Sequence, residues 1–370
     1  MKLLHSISIL AGVLLLTANA VAQISLTPPG AEKPAEAPAE KPAESKPAAK
    51  KEPAKAKPPV AAKKPAAPAA TPKPEPPPTA PTAAVVPAPA PDDPNADVVY
   101  GAYQRGQYKT ALDLAMPRAQ AGDIKAMTML GELYANGMGV KRDYAKAVDW
   151  YKRASDNGDR EAMFALAMLR LAGRGGALDR EAAVKLLASS AKLGEPKAAY
   201  NLALLYIDGQ TLPQDLKRAA ELLRLAADAG NPEAQYALAT FYKEGTGVEK
   251  DVEKSVRLLQ AASLADNVDA EVEYAIALFN GTGTPKNQAA AVALLRKAAR
   301  QNSPIAQNRL ARVLLSGMGA PMDKVEALKW HLVAKNAGKG DPELDEALAQ
   351  LSSEDRAKGE AAARRWLGTK

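Results

Sequence analysis

The sequence predicts an all-α solenoid of stacked helix hairpins, and three observations predict it. Glycine recurs at a spacing of 36 residues, as Gly137, Gly173, Gly209, Gly245, Gly281 and Gly317. At the same spacing come Asp143, Asp179, Asp215, Asp251, Asn287 and Asp323, and likewise Ala126, Ala162, Ala198, Ala234, Ala270 and Ala306. Between these marks apolar residues fall three and four apart: Ala126, Leu130, Leu133 and Tyr134, then Tyr144, Ala147, Val148, Tyr151 and Ala154. That spacing puts them on one face of each of two helices. A fixed period of this length is the mark of a repeat array, in which each unit covers its apolar face only against its neighbours.

The chain opens differently. Lys2 precedes an apolar run from Ile7 to Leu16, and Ala20-Val21-Ala22 precedes Gln23. Charge, apolar core and A-x-A site are the order of a secretory signal, so residues 1–22 are expected to be removed after Ala22. An uncleaved inner-membrane anchor is the alternative, because Ile7 to Leu26 carries no charge. The expected location is therefore periplasmic or secreted, with no integral span after cleavage.

Residues 23–94 hold 21 of the 29 prolines, mixed with Ala, Lys and Glu. Such a composition has no material for a core and favours extended chain of about 3.1 Å per residue. It reads as a disordered spacer, and its lysine-rich centre from Lys46 to Lys64 is a candidate contact for anionic cell-wall polymers or lipid head groups. The helix pair at 95–123 and the different pair at 342–370 read as caps, which cover the array's apolar flanks and offer polar surface outward.

Within 124–341 each unit has its own punctuation. Gly137 and its equivalents suit a left-handed residue closing the first helix. Asp143 and its equivalents suit the N-cap of the second. The unit ends on Gly122, Gly158, Gly194 and Gly230, then on Asp266 and Asn302, two residue types that tolerate positive φ. Pro232 and Pro304 follow their caps at the first helical position, where a missing N–H costs nothing. The glycines are therefore helix punctuation; a phosphate loop would need a preceding strand and a Gly-Lys-Ser/Thr ending.

The pattern A-x3-LG-x2-Y-x2-G-x-G-V-x2-D-x3-A-x2-W-Y-x2-A-x3-G, in Ala126 to Gly158, resembles a Sel1-like repeat, a relative of the tetratricopeptide repeat. The resemblance covers six units and implies a right-handed superhelix. The fifth unit departs most, with Tyr274 and Leu278 at the usual leucine and tyrosine positions and Thr284 after the glycines, and is expected to be locally less stable. Cysteine is absent, so neither disulfides nor thiolate chemistry is open to the chain. This departs from the cysteine-rich branch of the family, whose reported penicillin binding is not carried over.

Composition also narrows function. Of two histidines only His331 lies outside the signal, at the position held by Tyr151, Leu187, Leu223, Leu259 and Leu295 in other units, so it reads as a packing residue. No catalytic residues, metal ligands or cofactor are expected, and the chain reads as non-enzymatic. The formal charge of +7 is modest and alternates in sign along the helices, which argues against nucleic acid.

Function must then lie on a surface. By resemblance to tetratricopeptide arrays the first helix of each unit lines the concave side. Its positions are Lys125, Thr128, Glu132 and Ala135 in the first unit, then Glu161, Phe164, Met168 and Leu171, then Lys197, Tyr200, Leu204 and Ile207, then Glu233, Tyr236, Thr240 and Lys243. The candidate partner-binding residues are Phe164, Met168, Leu171, Tyr200, Leu204, Ile207, Tyr236 and Lys243, an apolar stripe with a charged rim suited to a peptide or amphipathic helix. Packing of these side chains against the next unit is the competing reading. The expected role is an adaptor holding another envelope protein, with the family implying assembly or regulation, including restraint of a sensor kinase controlling exopolysaccharide. The alternative is a binder of peptidoglycan fragments or polysaccharide, with Tyr200 and Tyr236 stacking on sugars.

Overall fold

A computed structural model describes residues 97–368. The expected signal at 1–22 and spacer at 23–94 lie outside the described residues. Among the described residues there are sixteen helices and no strand. The N-terminal pair is α1 (Val98–Gln104) and α2 (Tyr108–Gln120). The six units follow as α3 (Ile124–Asn136) and α4 (Tyr144–Asp156), α5 (Arg160–Leu171) and α6 (Arg180–Lys192), and α7 (Pro196–Asp208) and α8 (Leu216–Asp228). Next come α9 (Pro232–Glu244) and α10 (Val252–Leu264), α11 (Val268–Asn280) and α12 (Gln288–Arg300), and α13 (Pro304–Ser316) and α14 (Lys324–Asn336). The C-terminal elements are α15 (Pro342–Ala349) and α16 (Ser353–Gly368). From α2 to α15 each helix packs on the one before it, and α16 returns onto α14.

The predicted punctuation is present as backbone geometry. Gly137, Gly209, Gly245, Gly281 and Gly317 are left-handed C-caps. Gly173 shares the left-handed conformation at φ 60°, but the C-cap of α5 comes one residue earlier, at Ala172. There the Gly173 amide donates to Arg170 O, which tightens the last turn toward 3₁₀ geometry. Asp266 and Asn302 take φ of 60° and 69°, as glycine does at the other unit ends. The Asp143 carboxylate accepts from the Lys146 amide at 3.0 Å, and the same i+3 cap recurs at the start of α6, α8, α10, α12 and α14. The Asp143 amide also donates back to Tyr134 O at 3.0 Å, a bond repeated in every unit, so the cap residue is tied to the helix before it.

The second glycine of each G-x-G pair has a reason that the helix-stop argument does not supply. A Cβ on Gly247 would stand 2.3 Å from Leu216 O, the first carbonyl of the preceding unit's second helix. Loop and helix backbone touch there, so a side chain has no room. The third unit carries Thr211 at this position and is the exception.

Packing inside the unit is a volume exchange. Leu187, Leu223 and Leu295 are fully buried, as are Ala167, Ala203 and Ala275, at the positions where the first unit has Tyr151 and Gly131. A Cβ on Gly131 would fall 2.5 Å from the Tyr151 ring. In the sixth unit the equivalent residue, His331, is buried and its Nε2 lies 2.8 Å from Asp345 Oδ1 on α15. It packs as expected, and it also pins the C-terminal cap. Trp330 and Trp366 close the same end with ring centroids 5.2 Å apart. In the fifth unit Leu278 is buried and Tyr274 half-buried, so the exchanged pair still faces the core.

Candidate interaction face

Ion pairs step from several of the first helices, α3, α9 and α13 among them, to the next unit. Lys125 on α3 sits 3.0 Å from Asp159, the cap of α5. Lys243 on α9 meets Glu273 on α11 at 2.9 Å. Arg312 on α13 is bidentate to Asp341 at 2.7 and 2.8 Å and reaches Glu343 at 2.8 Å. The planar, two-point Arg312–Asp341 pair fixes orientation as well as energy. These pairs tie α3 to α5, α9 to α11 and α13 to α15 along the face that the first helices form.

Most of the predicted stripe lies half-buried on this face. Phe164, Leu171, Tyr200 and Ile207 pack one side against the core of the second to fourth units, and Tyr236 packs against Ala239, Leu259 and Ala270. Met168 is half-buried, and Lys243 is partly exposed beside Glu273. Leu204 is 4% exposed and belongs to the core. It is corrected from contact to core residue, because a side chain this buried has almost no surface to offer a partner, whereas Met168 at the same position of the unit before stays half-buried. The two tyrosines are buried enough to resist ionisation. Burial, then Glu233, pushes the Tyr200 phenol up to about 12. Burial, then the neighbouring Asp269, Glu273 and Glu244, raises the Tyr236 phenol as well. Each tyrosine thus lies beside an acid of the following unit, a juxtaposition that neither residue's place in its own helix announces.

At the N-terminal end the face deepens into a cleft of about 220 Å³. Its walls include Lys125, Thr128, Glu132 and Glu161, four positions from the predicted groove register. The N-terminal pair supplies Val99, Tyr100 and Tyr103, which sequence reasoning treated only as a cap. The signal was present: tyrosines three apart in YGAYQ share one side of a short helix. Tyr103 donates its hydroxyl to Glu132 at 2.7 Å, joining cap to first unit. Burial, followed by that bond and the Glu132 charge, raises the Tyr103 phenol.

Among the described residues no group of three or more His, Asp or Glu is placed to hold a metal ion. No described helix is long and apolar enough to cross a membrane.

The profile of the Sel1 repeat family matches six consecutive windows, 124–159, 160–195, 196–231, 232–267, 268–303 and 304–339. The chain belongs to the Sel1 repeat family. Among solved structures it is similar to a Sel1 repeat protein from Oxalobacter formigenes, at 27% identity and TM-score 0.59, over 65% of this chain and 98% of that one. It is also similar in fold to c5321, a protective antigen of uropathogenic Escherichia coli displaying an SLR fold. That match has 24% identity and TM-score 0.62, and covers 72% of this chain and 61% of the antigen's length. A comparison with curated proteins gives no match. Sel1 repeat proteins are generally protein-interaction scaffolds and typically non-catalytic.

Proposed function

We propose that this Sel1 solenoid is an exported adaptor that holds a segment of another envelope protein on its first-helix face. The observation that carries the reading is the cleft at one end of that face, lined by Lys125, Thr128, Glu132 and Glu161 from the groove register. From it runs a row of half-buried side chains, Phe164, Met168, Leu171, Tyr200, Ile207 and Tyr236. Half-buried aromatics pinned on one side offer contact area that is already ordered, so little side-chain entropy is lost on binding. Rim charges such as Glu161, Lys197 and Glu233 are available to set the orientation of a guest. The signal-like start and the proline-rich residues 23–94 support a role outside the cytoplasm with reach from an attachment point.

Crosslinked pull-down from envelope extract, run beside sedimentation with purified peptidoglycan, tests the reading. Met168→Asp and Tyr236→Ala alter the face, and because Tyr236 also packs on Ala239, Leu259 and Ala270, melting curves establish that both variants fold. A specific protein captured by the native chain and lost from both folded variants is the expected result. Sedimentation with peptidoglycan and no protein crosslink transfers the function to wall binding, and equal capture by the variants removes this face from consideration.

A further inference from the structure

We infer that the cleft at the N-terminal end of the first-helix face receives a cationic side chain, arginine or lysine, of the bound protein. The inference rests on the scaffold reading and adds the chemistry of the guest. The cleft's volume of about 220 Å³ is room for roughly seven waters at about 30 Å³ each, or for one long side chain.

Its charges are unbalanced. Two cations line it, Arg118 and Lys125. Both are already engaged. Arg118 is bound by Asp123 through Nε at 2.7 Å and Nη2 at 2.6 Å, and by Asp97 through Nη1 at 3.1 Å. The Lys125 ammonium lies 3.0 Å from Asp159 and 3.7 Å from Glu161. Against these two stand five carboxylates: Asp97, Glu132 and Glu161 in the lining, with Asp123 and Asp159 behind the cations. Three of the five cap helix N-termini, where the dipole contributes about half a positive charge each. The cleft stays negative after that allowance. Glu132 accepts one hydrogen bond, from a neutral phenol, and Glu161 is exposed with only a long contact to Lys125.

The remaining walls suit the rest of such a side chain. Val99 and Met129 are apolar, and the rings of Tyr100 and Tyr103 line the recess. A guanidinium or ammonium on an aromatic face gains cation–π attraction, while its methylene stem covers apolar surface. A neutral apolar guest would strip water from Glu132 and Glu161 and return nothing to them. An anionic guest would add like charge. Arginine fits best, because its planar group can stack on a tyrosine while bonding a carboxylate.

The test uses the full chain with ¹³C-methyl methionine, since the Met129 side chain lines the cleft and Met129→Leu identifies its signal. The probes are N-acetylarginine amide, N-acetylnorleucine amide and N-acetylglutamate amide. A saturable Met129 shift with the arginine probe alone is expected, weakened about threefold by Glu161→Gln and about tenfold by Glu132→Gln with Glu161→Gln, since partly exposed ion pairs carry modest energies. Melting curves establish that the variants fold, and Glu161→Gln alone decides if the double variant does not. Equal response to norleucine, no saturation with arginine, or undiminished binding by the glutamine variants overturns the inference. Partner capture that still depends on Met168 and Tyr236 while arginine binding fails sinks the cationic guest alone. Arginine binding with no capture sinks the adaptor.

Discussion

Gly131→Ala places a methyl group where the structure has none to spare. In an exposed helix the change stabilises by about 1 kcal/mol, because alanine loses less backbone entropy. Here the new Cβ would stand 2.5, 2.6 and 2.8 Å from three ring carbons of Tyr151, roughly 1 Å inside contact distance. The ring is 6% exposed and has little room to retreat, so overpacking is expected near the upper end of the usual ~1–3 kcal/mol. The net loss is about 1–2 kcal/mol once the helix gain is set against it. Tyr151→Leu alone leaves unfilled volume and costs on the order of 2 kcal/mol. The two together rebuild the Ala–Leu pair of the second to fifth units and should be closer to native than the sum, with a coupling of about 1–3 kcal/mol. Urea unfolding followed by circular dichroism, with an unchanged slope required for comparison, reads all four proteins. If Gly131→Ala raises stability by its helix propensity alone, or the cycle closes with no coupling, the volume-exchange argument fails.

Three further outcomes follow from the same geometry. Gly158 has φ 86° and open space for 4 Å around the point where a side chain would begin, so Gly158→Asn should be nearly neutral and Gly158→Val should cost about 1–2 kcal/mol, measured by thermal melts. Gly247→Ala meets Leu216 backbone at 2.3 Å whereas the nearest atom to a methyl in Gly245→Ala is the Lys250 Cβ at 3.3 Å; hydrogen exchange should show α8 and α9 loosened in the first variant and much less in the second. Asp341 holds α15 through its cap and Arg312; burial raises its pKa, but Arg312 and Asn308 outweigh that and set it below the usual carboxylate value. A lowered folded pKa gives stability that is complete above the unfolded value of about 3.9 and lost as pH falls through the folded one, so Trp366 fluorescence should report loosening of α15 and α16 in that acid range, and Asp341→Asn should show it already at neutral pH.

The sequence alone determined the unit and its period. Left-handed glycines, Asp266 and Asn302 in their place, and the row of N-caps are dictated by a residue's own φ and by amides three positions away, so they are legible without knowing where the chain goes. It also put the candidate contact residues on one side of each first helix, since a side chain's direction on a helix follows from spacing, while the choice of that helix came from the resemblance to tetratricopeptide arrays. Tertiary structure decided which residues on that face are reachable. Leu204 and Met168 hold the same position in adjacent units, yet only Leu204 is swallowed by the core, because burial depends on the side chains that the next unit brings against it. The Tyr151–Gly131 exchange, the His331–Asp345 pin and the cleft between the N-terminal pair and the first two units all join residues from different helices. Such meetings depend on how one helix settles against another, a sum of many small contacts that no single position in the chain carries.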